Sequence, residues 1–260
     1  MTDRPRVALI TGASSGIGEA CAGRLSRDGF ALELCARGRD RVEAVAARLR
    51  AGGADAVAHA CDATDEEAVL AMVVDIAARR GRVDVLVNSA GRSVGGELAT
   101  MSTATWDAVL AANLTSVFVV SRAVLAKGEI RDGEHGRIIS IASTAGKQGI
   151  ALATPYCASK HAVVGFTKAL GLELAGTSVT VNAVCPGYVD TPLADEVVAR
   201  YAEAWGVEGA QVRRRFEAKI PKGRYGRPEE VAETVAYLCS PNADIVTAQA
   251  INVCGGLGNF

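Results

Sequence analysis

Short apolar runs alternate with amphipathic segments along the whole chain. The runs are brief and are bounded by turn-forming residues, as expected for strands that are buried on both faces. They predict strands over 6–10, 31–37, 56–60, 85–87, 137–142, 179–184 and 250–253. Apolar positions three and four apart predict helices over 19–27, 40–51, 66–80, 102–120, 156–175 and 227–238. Because strands alternate with helices, we expect a single doubly wound α/β domain over 1–260 with a seven-stranded parallel sheet.

The stretch 193–223 fits neither pattern. It is long and amphipathic, and it carries Tyr201, Trp205 and Phe216. Glycine-containing breaks near 206 and 209 predict two short helices rather than one long helix. The stretch follows the carboxyl end of the sixth strand, the edge where such sheets bind their ligands. We therefore expect it to be a helical substrate lid.

Composition excludes several classes of protein. The 260 residues are 49% hydrophobic and 22% charged, which indicates a globular chain, and the net charge of −1 argues against a nucleic-acid or membrane-surface partner. No apolar run approaches the ~18–20 residues of a membrane span, and the N-terminal run is too short for a signal peptide. The seven cysteines include no Cys-x-x-Cys pair, which predicts reduced thiols in a cytoplasmic protein without a metal site.

A glycine-rich turn joins the first strand to the first helix. Such a turn lets the backbone approach a pyrophosphate, while the helix that follows presents free N–H groups and the positive end of its dipole. The order strand, turn, helix, strand makes this a Rossmann dinucleotide site rather than a structural tight turn. The turn residues predicted to contact the cofactor are Thr11, Gly12, Ser14, Ser15, Gly16, Ile17 and Gly18.

The end of the second strand predicts which dinucleotide is bound. Arg37 stands there in place of an acidic residue, and a guanidinium can pair with a 2′-phosphate, so we expect NADPH. Asp62, after the third strand, either accepts a hydrogen bond from the adenine amino group or caps the next helix. Residues after the fourth and sixth strands should complete the cofactor site: Asn88, Ala90, Gly91, Pro186, Gly187, Val189 and Thr191.

Ser143, Tyr156 and Lys160 are the candidate catalytic residues. Tyr156 and Lys160 are four residues apart on a helix and therefore share a face. A nearby ammonium lowers the pKa of a phenol, which makes the phenol a better proton donor near neutral pH. Ser143 closes the fifth strand and can hydrogen-bond the same substrate oxygen. Asn113 lies inside an apolar helix, where it either holds open a kink or a water beside the lysine, or is satisfied by neighbouring backbone.

Together these motifs resemble the short-chain dehydrogenase/reductase family. They are Thr11-Gly-x-x-x-Gly16-Ile-Gly18, Asn88-Ser-Ala-Gly91, Asn113, Ser143, Tyr156-x-x-x-Lys160 and Pro186-Gly187, and Ser89 departs from the family's usual Asn-Asn-Ala-Gly. The chain is most similar to the ketoreductases of type II (aromatic) polyketide synthases, through Thr144-Ala-Gly-Lys-Gln-Gly, Tyr156-Cys-Ala-Ser-Lys-His161 and the tail 247–260. Ser93-Val94-Gly95-Gly96 replaces the Pro-Gly-Gly motif that bears on stereochemistry in that group.

The resemblance implies the reduction of a polyketide carbonyl with NADPH. Tyr156 would donate the proton, Lys160 would lower the pKa of Tyr156 and bind the nicotinamide ribose, Ser143 would orient the carbonyl, and Asn113 would hold a water. The substrate would also contact Thr144, Gln148, Ile150, Leu193, Val197 and Tyr201.

The resemblance also implies an acyl carrier protein that delivers the substrate, and a homotetramer. Candidate docking charges for the acidic carrier are Arg37, Arg92 and 213–215. The C-terminal tail 255–260 either docks on another subunit or frays. One alternative is a reductase of the same family with another substrate, such as a 3-oxoacyl thioester or a sterol. A remoter alternative is a non-catalytic NADP(H)-sensing regulator on the same fold.

Overall fold

A computed structural model describes residues 4–258, so the last two residues of the tail lie outside the described part of the chain. Its strands form one parallel sheet in the order β3-β2-β1-β4-β5-β6-β7. The strands are β1 Val7–Thr11, β2 Ala31–Ala36, β3 Ala56–Ala60, β4 Val85–Asn88, β5 Gly136–Ile141, β6 Val179–Pro186 and β7 Ala250–Val253. The predicted doubly wound sheet is therefore confirmed.

The helices cover both faces of this sheet. They are α1 Gly16–Arg27, α2 Arg39–Ala51, α3 Glu66–Arg80, α4 Thr103–Leu110, α5 Ser116–Lys127, α6 Thr154–Glu173, α7 Pro192–Trp205, α8 Gly209–Glu217 and α9 Pro228–Cys239. Successive side chains of a strand point to opposite faces. Accordingly Ala8 and Ile10 pack with α1, α2 and α9, while Val7 and Leu9 pack with α3 and α5.

The strand order reverses between β1 and β4. Chain connections run to one side from β1 through β2 to β3, and to the other side from β4 onward. The carboxyl ends of the parallel strands lie at one edge, and a crevice opens at such a switch point because the connecting loops leave in opposite directions. The predicted functional residues follow these strand ends.

The helix predicted over 102–120 is longer and irregular. It runs to Lys127 and contains a π turn, Ala111–Thr115, between α4 and α5. By length and by a mean hydropathy of 1.8, Thr103–Lys127 could span a membrane, which corrects the expectation that no apolar run is long enough. Half of that apolar window is buried inside the protein, and core helices of sheet proteins meet the same criteria.

The stretch predicted as a lid forms α7 and α8. The break is where the glycines predict it, because Gly206 ends α7 in the left-handed conformation and α8 begins at Gly209. The two helices share a separate hydrophobic cluster that includes Tyr201, Phe216 and Tyr225.

Candidate active site

The carboxyl ends of the central strands open into a cleft of about 1050 Å³. Residues from the glycine-rich turn, the strand ends, α6 and α7 line it together. The lining includes these predicted residues: Gly12, Ser14, Ser15, Gly16, Ile17, Gly18, Arg37, Asp62, Ala90, Gly91, Arg92, Ser143, Thr144, Gln148, Ile150, Tyr156, Lys160, Pro186, Gly187, Val189, Thr191, Leu193, Val197 and Tyr201. Apart from Thr11, Asn88 and Asn113, the predicted cofactor, catalytic and substrate residues thus meet in one place.

The glycine-rich turn is closed by backbone contacts that exclude a side chain. A Cβ at Gly18 would lie 2.3 Å from the carbonyl oxygen of Gly12, and a Cβ at Gly12 would lie 2.8 Å from the backbone of Ala90. The turn leads into α1, whose N-terminus no side chain caps, so its first N–H groups face the cleft. Free amides and a positive helix end suit a pyrophosphate, and the turn therefore fits a dinucleotide.

Two arginines mark the far end of this half of the cleft. Arg37 is exposed directly after β2, and Arg41 packs over Gly38, where an added Cβ would lie 3.0 Å from its Nε. Both line the cleft, which fits a 2′-phosphate rather than a bare ribose. Sequence reasoning missed Arg41, although its position four residues after Arg37 in the first turn of α2 is a usable signal.

Asp62 lines the cleft but does not cap α3. Its Oδ1 accepts hydrogen bonds from the backbone N–H and the hydroxyl of Thr64, at 2.9 and 2.8 Å. The cap of α3 is Asp65, which accepts from the N–H of Ala68 at 3.0 Å. Of the two predicted roles, the helix cap is wrong and the contact with adenine stays a prediction.

Thr11 and Asn88 lie behind the wall of the cleft. The hydroxyl of Thr11 accepts from the N–H groups of Ser89 and Ala90 at 3.1 and 3.2 Å, and Asn88 donates to Ser121 Oγ at 3.1 Å. The expected contacts of Thr11 and Asn88 with the cofactor stay predictions. Thr11 thereby supplies the acceptor that the first two N–H groups after β4 need inside the protein.

Asn113 is fully buried in the π turn. Its Oδ1 accepts from the N–H of Arg92 at 2.8 Å, and its Nδ2 donates to the carbonyl of Arg92 and to Ser159 Oγ at 3.0 and 2.9 Å. A Cβ on Gly91 would lie 3.0 Å from Asn113 Oδ1 and 3.7 Å from Lys160 Nζ. Of the two predicted options, satisfaction of the amide by neighbouring backbone is observed, and Asn113 lies within a π turn of the helix. A water held beside Lys160 stays a prediction.

Lys160 is buried one helical turn from Tyr156. Its Nζ lies 5.8 Å from the centre of the Tyr156 ring and donates to the carbonyl of Ile141 at 2.8 Å. Burial disfavours the charged ammonium and lowers the pKa of Lys160 to about 8. The expected pairing of the two side chains on one face of α6 is present.

Burial also raises the pKa of the Tyr156 phenol. The expected lowering of that pKa by Lys160 stays a prediction. The hydrogen bond with the Ser143 side chain and the charge of Arg200 act in the opposite direction but do not outweigh burial. Ser143 itself is held by the N–H of Ala145, which donates to its Oγ at 3.1 Å. The chain alone therefore keeps the phenol protonated.

Arg200 and Ser93 line the cleft, and the contact between them was not predicted. Arg200 lies on α7, and its Nη1 and Nη2 donate to the carbonyl and hydroxyl of Ser93 at 2.7 and 3.3 Å. The sequence carries no signal for this pair, because 107 residues separate its members. Cys157 contributes nothing to the cleft lining, and burial raises the pKa of its thiol, which fits a spectator role.

Comparisons with known proteins agree with this geometry. A putative ketoacyl reductase of the monensin polyketide synthase from Streptomyces virginiae is 54% identical over 98% of each chain. A putative ketoacyl reductase from Streptomyces coelicolor is 50% identical over 100% of this chain and 99% of that protein. A crystal structure of an actinorhodin polyketide ketoreductase variant with NADPH is 50% identical, covers 98% of each chain and has a TM-score of 0.95.

The resemblance to polyketide ketoreductases is confirmed by these relatives. A family model described as short chain dehydrogenase matches residues 6–202. The matched region contains the glycine-rich turn and the Ser143, Tyr156 and Lys160 set, together with most of α7. The chain belongs to the short chain dehydrogenase family.

Proposed function

We propose that this protein is an NADPH-dependent ketoreductase that reduces a carbonyl of a polyketide intermediate to a secondary alcohol. The observation that carries the proposal is the position of Ser143, Tyr156 and Lys160, where the dinucleotide half of the cleft meets the aromatic lid. The names of the relatives support the substrate class. The bound cofactor of the solved relative supports NADPH.

The cofactor would be held by residues of this chain that already fit it. The turn 11–18 and the N-terminus of α1 would bind the pyrophosphate, and Arg37 with Arg41 would bind the 2′-phosphate. Lys160 would hydrogen-bond the nicotinamide ribose. When bound, NADPH supplies the hydride that reduces the carbonyl carbon.

The protein's own residues handle the proton. Burial keeps the Tyr156 hydroxyl protonated, so it can donate a hydrogen bond to the carbonyl oxygen and then its proton to the forming alkoxide. The Ser143 hydroxyl donates to the same oxygen, and one such donor lowers the barrier by about 3–4 kcal/mol. Lys160 and a water near Asn113 would return a proton to Tyr156.

The lid 193–223 would select the substrate. Its side of the cleft combines Leu193, Val197 and Ile150 with the polar groups of Thr144 and Gln148. This mixture suits a poly-β-keto chain or a partly cyclised ring, which is apolar along its length and carries regularly spaced oxygens.

An acyl carrier protein would deliver that chain. The candidate docking charges Arg37, Arg92, Arg214 and Arg215 are exposed, while Arg213 is engaged with Asp190 and Glu217. A homotetramer and a cytoplasmic location complete the proposal. All seven cysteines are free thiols, which supports a reducing compartment.

A paired assay tests the function. Purified protein with NADPH is given a bicyclic ketone or a short acetoacetyl thioester, and oxidation of NADPH is followed. We expect a higher kcat/KM for the bicyclic ketone, and a clear loss of rate when NADH replaces NADPH. A strong preference for the short thioester would assign the protein to fatty-acid-type reduction instead.

A further inference from the structure

Arg200 places a cation in the substrate half of the cleft. It is half-buried on α7, on the lid side of Tyr156, and its guanidinium is fixed by the two hydrogen bonds to Ser93. Its Nε is buried and has no acceptor among the described residues. A guanidinium has five N–H donors, so donors remain for a ligand.

The charge of Arg200 is not neutralised by a neighbouring carboxylate. Within residues 4–258, no Asp or Glu oxygen lies within 4.0 Å of it, whereas Arg213 on α8 contacts both Asp190 and Glu217. Glu196 also lines the cleft and acts on Arg200 only at longer range. Burial lowers the pKa of Arg200, but a guanidinium stays charged throughout the working pH range.

The position of this charge is fixed from two sides. Ser93 is buried, and the residue before it, Arg92, is held at its N–H and carbonyl by Asn113. One chain of hydrogen bonds therefore runs from the π turn beside Lys160 through 92–93 to Arg200 on the lid. A polar group that is held in place before the ligand arrives loses little entropy on binding.

We infer that Arg200 is a specificity-determining residue that binds the second oxygen of a 1,3-dicarbonyl substrate, beside the carbonyl that Tyr156 protonates. A poly-β-ketone carries an oxygen on every second carbon, so its neighbouring carbonyl is available to the guanidinium. The inference rests on the proposed function and extends it, because a simple monoketone leaves the remaining donors of Arg200 unpaired in the cleft.

Turnover of a matched ketone pair tests this. The pair is 2,2-dimethylcyclohexane-1,3-dione, which cannot enolise between its carbonyls, and 2,2-dimethylcyclohexanone. For Arg200→Met we expect kcat/KM for the dione to fall about 10- to 100-fold, mainly through KM, with the monoketone changed by less than about threefold. Arg200→Lys keeps the charge, and its kcat/KM for the dione should lie between the values of wild type and Arg200→Met. Arg131→Met, at an exposed site outside the cleft, is the control.

A binding measurement separates this inference from the proposed function. The enolate of cyclohexane-1,3-dione is titrated calorimetrically into the protein saturated with NADP⁺, which needs no turnover. Wild type and Arg131→Met should bind it, and Arg200→Met should bind it about tenfold more weakly or worse. If the enolate binds wild type and Arg200→Met equally, Arg200 does not bind the second oxygen. The same conclusion follows if Arg200→Met lowers kcat/KM equally for both ketones. If wild type reduces neither ketone, the proposed function fails while the titration still reports on Arg200.

Discussion

The two halves of the cleft differ in whether backbone or side chains form their walls. The cofactor half is formed by backbone, where glycines bring main-chain atoms together at the ends of fully buried strands. The lid half is formed by side chains, with Tyr188 stacked on Phe216 at 4.6 Å and Tyr201 edge-on to Phe216 at 5.2 Å. A backbone cradle recognises one fixed group, whereas packed side chains can be exchanged to suit another substrate.

The two halves also differ in how they are joined to the rest of the protein. The strands beneath the cofactor half belong to the two large cores on either face of the sheet. The lid has its own cluster around Tyr201, Val212 and Phe216. A region with a separate small core can open locally at a lower free energy than global unfolding. We therefore expect damage to the lid to leave the cofactor half intact.

Tyr156 lies where the halves meet, and its loss should have the largest effect. Tyr156→Phe keeps the ring and removes the proton donor, so we expect turnover to fall about 10²- to 10⁴-fold. Both halves should still bind, with the Kd for NADPH changed by less than about twofold by fluorescence titration. Near-normal turnover by this variant would remove Tyr156 from the mechanism.

Phe216→Ala should disrupt the packing of the lid and leave the cofactor half unchanged. Phe216 is only 2% exposed and contacts three aromatic rings, so its truncation costs about 3–5 kcal/mol of local packing. We expect KM for the ketone to rise and hydrogen exchange in α7 and α8 to accelerate, with NADPH affinity unchanged. An equal loss of NADPH affinity would show that the halves are not independent.

Lys160→Met should change how stability depends on pH in the cofactor-free protein. The pKa of Lys160 falls from its ordinary value of 10.5 to about 8 on folding. Below pH 8 Lys160 is protonated in both the folded and the unfolded chain. Burial of its ammonium then lowers the free energy of unfolding by on the order of 3 kcal/mol. Between these values the unfolded chain binds more protons, so stability rises with pH.

The Met variant lacks this titration. In urea unfolding at pH about 7, 8.5 and 10, the free energy of unfolding of wild type should therefore rise relative to that of Lys160→Met as the pH rises. A stability difference that stays constant over this range would contradict the lowered pKa.

Arg37→Ala combined with Arg41→Ala should have the smallest effect and should be confined to the cofactor half. Charge-assisted hydrogen bonds of about 1.5–3 kcal/mol predict a rise of about tenfold or more in the Kd for NADPH. The affinity for NADH and the KM for the ketone should not change. Arg39→Ala, exposed between them but outside the cleft lining, serves as the matched control. Equal loss for NADH and NADPH would assign the two arginines to stability rather than to the 2′-phosphate.

The sequence alone determined the sheet, the glycine-rich turn and the Tyr156–Lys160 pair. These depend on local rules: hydrophobic period, the need of tight turns for glycine, and the one-turn spacing of a helix. The breaks at Gly206 and Gly209 were predictable for the same reason, because glycine ends a helix through its own backbone freedom.

Only the tertiary structure decided which side chains lie behind the wall of the cleft, which pKa values are shifted by burial and where Arg200 is placed. Thr11 and Asn88 share the local pattern of cofactor ligands, yet the Thr11 hydroxyl binds the loop after β4 and the Asn88 amide donates to Ser121. The pKa of Tyr156 is decided by burial, which no spacing along the chain reveals. The contact of Arg200 with Ser93 joins two segments far apart in sequence, and such contacts follow from the packing of the lid on the sheet rather than from either segment alone.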